Sequence, residues 1–209
     1  VATAGDSNIL GPNARASRGL SYFHSPHRYT LSLSYTTPWF QKRKDFAGQA
    51  LSGWKVSMVA KFAAGTPFTV INSGGFGDFD LDGFTENRPA IIDPSILGNH
   101  FSVPDRAPSL LPREAFRSAT ISDYSCCILS RNTFYGDGMS NFDFGLFKTF
   151  RLPFERHQFV LRADLFNAFN HAQFAFPTLD LASPTFGRIT GTAAQYSPRN
   201  VQFSLRYVF

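Results

Sequence analysis

The chain has 209 residues, of which only 17% are charged, and carries a net charge of +5. A soluble globular domain usually has about a quarter of its residues charged. No stretch reaches the ~18 apolar residues that a transmembrane helix needs, but this does not exclude a membrane, because a β-barrel strand needs only about 9–11 residues.

The 24 Phe and 7 Tyr are the other compositional excess, and aromatics favour strands and bilayer interfaces. The basic residues are scattered rather than gathered into a patch. Together with the rows of small polar residues described below, this argues against nucleic acid as a partner. The chain starts at Val1 with no Met and no apolar signal segment, as expected of a processed or truncated start.

Residues 1–27 are rich in Gly, Ala, Ser and Asn and read as loop. A first strand is predicted over 28–40. From Tyr29 to Thr36 every odd position is apolar or aromatic and every even one carries a hydroxyl, a period of two with one dry and one wet face. It ends near Pro38-Trp39-Phe40, before the charged turn Gln41-Lys42-Arg43-Lys44-Asp45.

A second strand is predicted over 53–72. Trp54, Val56, Met58, Ala60 and Phe62 share one face, and Lys55, Ser57, Val59 and Lys61 the other. It is expected to continue past Gly65 and Pro67 through Ile71, with Pro67 at a bulge or beyond the bilayer edge, because it cannot donate to a ladder.

Residues 73–138 are long and irregular, with many Gly, Pro and Asp. Such a loop is unusual inside a compact soluble domain and ordinary outside a barrel, and short hairpins can lie within it. Its adjacent Cys126 and Cys127 are not expected to bridge each other, because ordinary disulfide geometry is hard to reach between neighbours. No further metal ligand stands near them at useful spacing.

The third strand is predicted over 139–151, with Phe142, Phe144, Leu146 and Phe150 on one face. Lys148 breaks that face and is expected to snorkel its ammonium to water. The fourth covers 156–170: Phe159, Leu161, Ala163 and Leu165 make the dry face, with Gln158, Arg162 and Asp164 opposite. Residues 171–197 form a second long loop. In the last strand, 198–209, Val201, Phe203, Leu205, Tyr207 and Phe209 alternate with Asn200, Gln202, Ser204 and Arg206.

The fold class expected is all-β, an antiparallel transmembrane β-barrel. The connections 41–52 and 151–156 are short, while 73–138 and 171–197 are long. This alternation matches periplasmic turns and extracellular loops. The same parity gathers Trp39, Phe40, Trp54, Phe150, Phe154, Tyr207 and Phe209 at the periplasmic level, where an aromatic girdle belongs. Five strands cannot close a transporter barrel, and an open edge in hydrocarbon leaves ladder groups unpaired at several kcal/mol each. Further strands are therefore expected to flank these five. The competing architecture is a soluble β-sandwich binding module, which would have short loops at both ends and more charge on its second faces.

Lys55, Lys61, Arg162, Asp164 and Arg206 are the expected lumen-facing residues. They can touch a solute, or they can pair across strands and keep the interior wet. Arg162 and Asp164, two apart on one face, can share a local network. Asp78, Asp80, Asp82 and Glu86 place carboxylates around Gly83 at spacing that can wrap Ca²⁺. The EF-hand pattern fails, however, because Pro89 stands where its bidentate Glu belongs, and a solvated acidic loop is the other reading. His24, His27 and His171 form no constellation. The sequence contains no nucleophile elbow, phosphate loop or zinc motif, so neither an enzyme nor an organic cofactor is expected.

Several segments resemble the end of the TonB-dependent outer-membrane transporter family, in particular its Oar-like group. They are Arg28-Tyr29-Thr30-Leu31-Ser32, Leu51-Ser52-Gly53-Trp54-Lys55-Val56-Ser57, Gly65-Thr66-Pro67-Phe68-Thr69-Val70, Asn132-Thr133-Phe134-Tyr135-Gly136 and Asn141 to Lys148. The strongest runs from Leu161-Arg162-Ala163-Asp164-Leu165-Phe166-Asn167 to Ala168-Phe169-Asn170-His171, followed by Ser183 to Ile189 and Pro198 to Phe203. The resemblance implies a barrel of about 22 strands around an amino-terminal plug, carrying a scarce, unidentified solute with energy relayed by TonB through that plug. It also implies that Phe203, Leu205, Tyr207 and the terminal Phe209 form the signal read by the barrel assembly machinery, and that outer-membrane lipid surrounds the wall. An adhesive or structural barrel without active transport remains open.

Overall fold

The computed structural model describes residues 18–40, 45–74, 87–120, 122–123, 126–152 and 157–209. In chain order the strands are β1 (Arg28–Thr36), β2 (Lys55–Ala63), β3 (Pro67–Phe68), β4 (Ala90–Ile91), β5 (Phe116–Arg117), β6 (Phe134–Tyr135), β7 (Met139–Arg151), β8 (Gln158–Phe166) and β9 (Asn200–Val208). Helix α1 (Phe46–Leu51) lies between β1 and β2, and α2 (Ala107–Leu110) between β4 and β5. No helix among the described residues is long and apolar enough to cross a membrane, which says nothing of strands.

The chain separates into two compact units. The first is a five-stranded antiparallel sheet in the order β1-β2-β7-β8-β9. The period-two pattern fixes its register, because a one-residue slip would carry every apolar side chain to the other face. Leu31 faces Ala60, Ala60 faces Phe142, Leu146 faces Ala163 and Ala163 faces Phe203, so one apolar face runs unbroken across all five strands. The opposite face holds rows such as Ser34–Ser57–Gly145–Asp164–Gln202. Strands β1, β2, β8 and β9 each have nine residues, close to the length a tilted strand needs to cross hydrocarbon.

The sheet's strands are shorter than the sequence pattern implies at all but one position. β1 ends at Thr36, where Thr37 N donates to Trp54 O and Trp54 N to Thr37 Oγ1. The short connection that follows holds α1 rather than only a charged turn. β2 ends at Ala63 and does not run on to residue 72. Gly65 packs so closely that a Cβ there would lie 1.9 Å from Gly136 O, and Pro67-Phe68 pairs instead with Phe134-Tyr135. The two motifs Gly65–Val70 and Asn132–Gly136 are therefore partners of each other.

The second unit contains Ala64–Gly138 and Gln173–Tyr196, with residues 18–27. Its centre is aromatic. Phe68 lies 5.7 Å from Phe134 and 5.4 Å from Phe101, and Phe116 lies 6.2 Å from Phe134 and 5.8 Å from Phe186. Val70, Leu111, Leu129 and Leu181 complete this cluster. Each such side chain taken from water contributes about 1.5–3 kcal/mol. The described part of the irregular 73–138 segment thus shares a core with Phe68, Val70 and the 173–196 segment, which its Gly, Pro and Asp content concealed.

Candidate functional site

The polar face of the sheet holds all five predicted lumen residues. Cross-strand pairing puts Thr36, Lys55, Phe147, Arg162 and Ser204 in one row and Arg206 beside Val160 in the next. Asp164 lies in the row with Ser57 and Gly145, and Lys61 pairs with Asn141. Arg162 Nε donates to Asp164 Oδ2 at 2.5 Å, and its guanidinium carbon lies 4.8 Å from the Phe147 ring centre. Lys61 Nζ stands 3.9 Å from Asp143 Oδ2. Arg28, Lys55, Arg151 and Arg206 have no ion pair among the described residues, so cations exceed carboxylates on this face and give it a positive field.

Gly145 is the hinge of that arrangement. A Cβ there would meet Ser57 Oγ at 2.6 Å and the Phe147 ring at 2.9 Å. Only glycine lets the ring lean over the strand beneath the guanidinium. Phe147 was not singled out from sequence, although it is an aromatic on a polar face, and Gly145, two residues before it, was the available signal.

The other face is apolar and open. Phe203 is 77% exposed and Leu205 67%, while Phe159 and Leu161 are half-buried by their neighbours in the sheet. A water-soluble protein seldom leaves so broad an apolar surface uncovered. Trp54, Phe150, Tyr207 and Phe209 collect at the short-turn end. There Phe159 and Tyr207 pack at 5.1 Å, and His157 Nδ1 and the Tyr207 hydroxyl are 2.5 Å apart. A second aromatic group sits toward the far end, Phe142 being 5.3 Å from Phe62 and 5.0 Å from Phe169. Phe154 lies outside the described residues.

Lys148 corrects the expectation of a snorkelling ammonium. It is buried, 3% exposed, and its Nζ donates to Ser52 O rather than reaching water. The rings of Trp54 and Phe150 flank it at 5.7 and 5.3 Å, so cation–π attraction replaces hydration.

The strongest sequence motif proves to be a strand terminus. Asn167 and Asn170 both have positive φ, 47° and 52°, a conformation Asn tolerates better than most residues. Asn167 N donates to Asp143 Oδ1, its Nδ2 to Ser197 O, and its Oδ1 accepts from His171 N. Asn170 Oδ1 accepts from Arg199 N. The end of β8 is thereby tied both to β7 and to the segment entering β9.

In the loop unit, Arg113 donates to Leu181 O and Ser183 O and lies over the Phe186 ring at 5.6 Å, pinning 173–196 against 107–116. Asp180 accepts from Ser73 N, Ser73 Oγ and Ala182 N. Burial pushes its pKa up, but these bonds and the nearby Arg113 charge outweigh burial and leave it lowered. Asp123 is held well below the usual carboxylate range, first by the Arg117 guanidinium and then by Thr120 Oγ1 and N.

Cys126 and Cys127 form a disulfide with each other, contrary to expectation. Ligand atoms of Asp123, Cys126 and Cys127 lie within 4.8 Å of one another, but bridged sulfurs offer no thiolate to a metal. The acidic residues Asp78, Asp80, Asp82 and Glu86 lie outside the described residues.

A family model described as an outer membrane beta barrel domain matches residues 2–202. The chain belongs to that family. It is an antiparallel transmembrane β-barrel protein of the bacterial outer membrane. Comparison with curated proteins and with solved structures gives no match.

Proposed function

We propose that the chain supplies wall strands and extracellular loops to an energy-coupled outer-membrane receptor of the TonB-dependent, Oar-like kind, with no catalytic role. The observation that carries this reading is the pairing of an open apolar face with a cationic polar face, on strands joined alternately by short turns and long loops. A closed wall requires partners for the outer edges of β1 and β9, and these would come from further strands around a plug. Phe203, Leu205, Tyr207 and Phe209 would be presented together to the assembly machinery, since all lie on the apolar side of the edge strand.

The separate core of the loop unit favours a second reading, an adhesive or structural barrel that carries a folded loop unit. One experiment separates the two. The full-length protein, solubilised in detergent, is passed over an immobilised periplasmic domain of TonB. Retention supports energy-coupled transport. Flow-through of folded protein overturns it and leaves the adhesive barrel.

A further inference from the structure

We propose that Arg162 is a prearranged receptor for an oxyanion, a carboxylate or phosphate group of a solute passing along the polar face. This inference rests on the reading of that face as the lumen.

Two contacts fix the guanidinium. Phe147 covers one face of its plane at 4.8 Å, and Asp164 takes Nε at 2.5 Å. The two terminal nitrogens make no hydrogen bond among the described residues, and the side chain is 51% exposed. Arginine–carboxylate pairs are frequently bidentate, with two parallel N–H···O bonds. Here only the bond from Nε reaches Asp164, and the half-exposed side chain keeps both terminal nitrogens for another acceptor.

The surroundings complete the receptor. Lys55 stands in the same row on the other side of Phe147, with Ser204 as Arg162's partner on β9. Lys55 and Arg206 keep the neighbourhood cationic despite Asp164. The ring beneath the guanidinium also displaces water from one of its faces, which strengthens a charge-assisted hydrogen bond at its edge. A planar fork with its orientation already set loses little freedom on accepting two oxygens. Gly145 serves this geometry, since any side chain there would displace the Phe147 ring.

The test uses full-length protein in detergent at low ionic strength, with radiolabelled citrate and inorganic phosphate as probes in equilibrium dialysis. Saturable binding of either probe by the wild type is expected, and the comparison of the two tells a carboxylate receptor from a phosphate receptor. Arg162→Lys keeps the charge but loses the planar fork, and should weaken binding about tenfold or more. Phe147→Leu should weaken it by a smaller factor by freeing the guanidinium. Heat-modifiable migration of each sample reports whether the barrel is folded. A folded wild type that binds neither probe saturably overturns the proposal, as does an Arg162→Lys variant that binds as tightly as the wild type. A full-length protein that shows no heat-modifiable form would instead overturn the lumen reading on which the proposal stands.

Discussion

Lys148 and Arg162 are both cations beside aromatic rings, and their different surroundings give them different work. Lys148 sits on the apolar face, closed in by Trp54, Phe150 and the Ser52 carbonyl. Arg162 sits on the polar face with its fork open. Alternation alone assigned each to its face, but only the cross-strand neighbours reveal that one cation is consumed internally and the other displayed. Asn167 is a third residue whose role depends on conformation: with positive φ and hydrogen bonds to three segments, Asn167→Ala should destabilise the barrel by about 1–3 kcal/mol, measurable as a lower urea midpoint in detergent.

Asp123 makes a prediction with a definite sign. Its folded pKa lies below the ~3.9 of an unfolded Asp. The unfolded state therefore takes up the proton first as pH falls. The stabilisation is complete above the unfolded value and is lost as pH drops from there through the folded value. Hydrogen exchange across residues 116–123, corrected for intrinsic rates, should be slow at pH 5 and quicken below about pH 4. Asp123→Asn should remove that dependence.

At the scale of elements, the two faces of β8 offer the sharpest contrast. Leu161 opposes Leu205 on the open apolar face, and Arg162 opposes Ser204 on the polar one. Leu161→Arg should block assembly, because a cation on the lipid side near mid-bilayer costs about 2–4 kcal/mol, while Arg162→Leu should assemble. The yield of heat-modifiable protein in outer-membrane fractions decides it, and equal yields would contradict the assigned faces. A second prediction concerns the break after β2. Gly65→Ala forces a methyl onto Gly136 O and should cost the loop unit about 1–3 kcal/mol, seen as faster protease cleavage on intact cells with the sheet still assembled. Reading β2 on to residue 72 failed at this point. Gly65, Thr66 and Pro67 fit a bulge as well as a departure, and the partner that takes them, Phe134-Tyr135, is far away in sequence.

At the scale of the whole molecule, the full-length protein should leave the membrane only with detergent. Recovery as a soluble monomer would be incompatible with the exposed rows of β1 and β9. The loops should behave as one folded body rather than independent tethers, since Arg113, Leu181, Phe116 and Phe186 join the two long segments. Arg113→Ala should therefore raise proteolysis within 173–196 as well as within its own segment.

The sequence by itself determined the existence of the five sheet strands and the faces of each, because a period of two is a local property that each stretch carries without reference to any other. Only the tertiary structure decided where β2 lets go, that the long loops share an aromatic core, that Cys126 bridges Cys127, and that Phe147 steadies Arg162. Each of these is a contact whose formation depends on backbone geometry or on residues brought together from distant segments, and neither is written in the spacing of any single stretch.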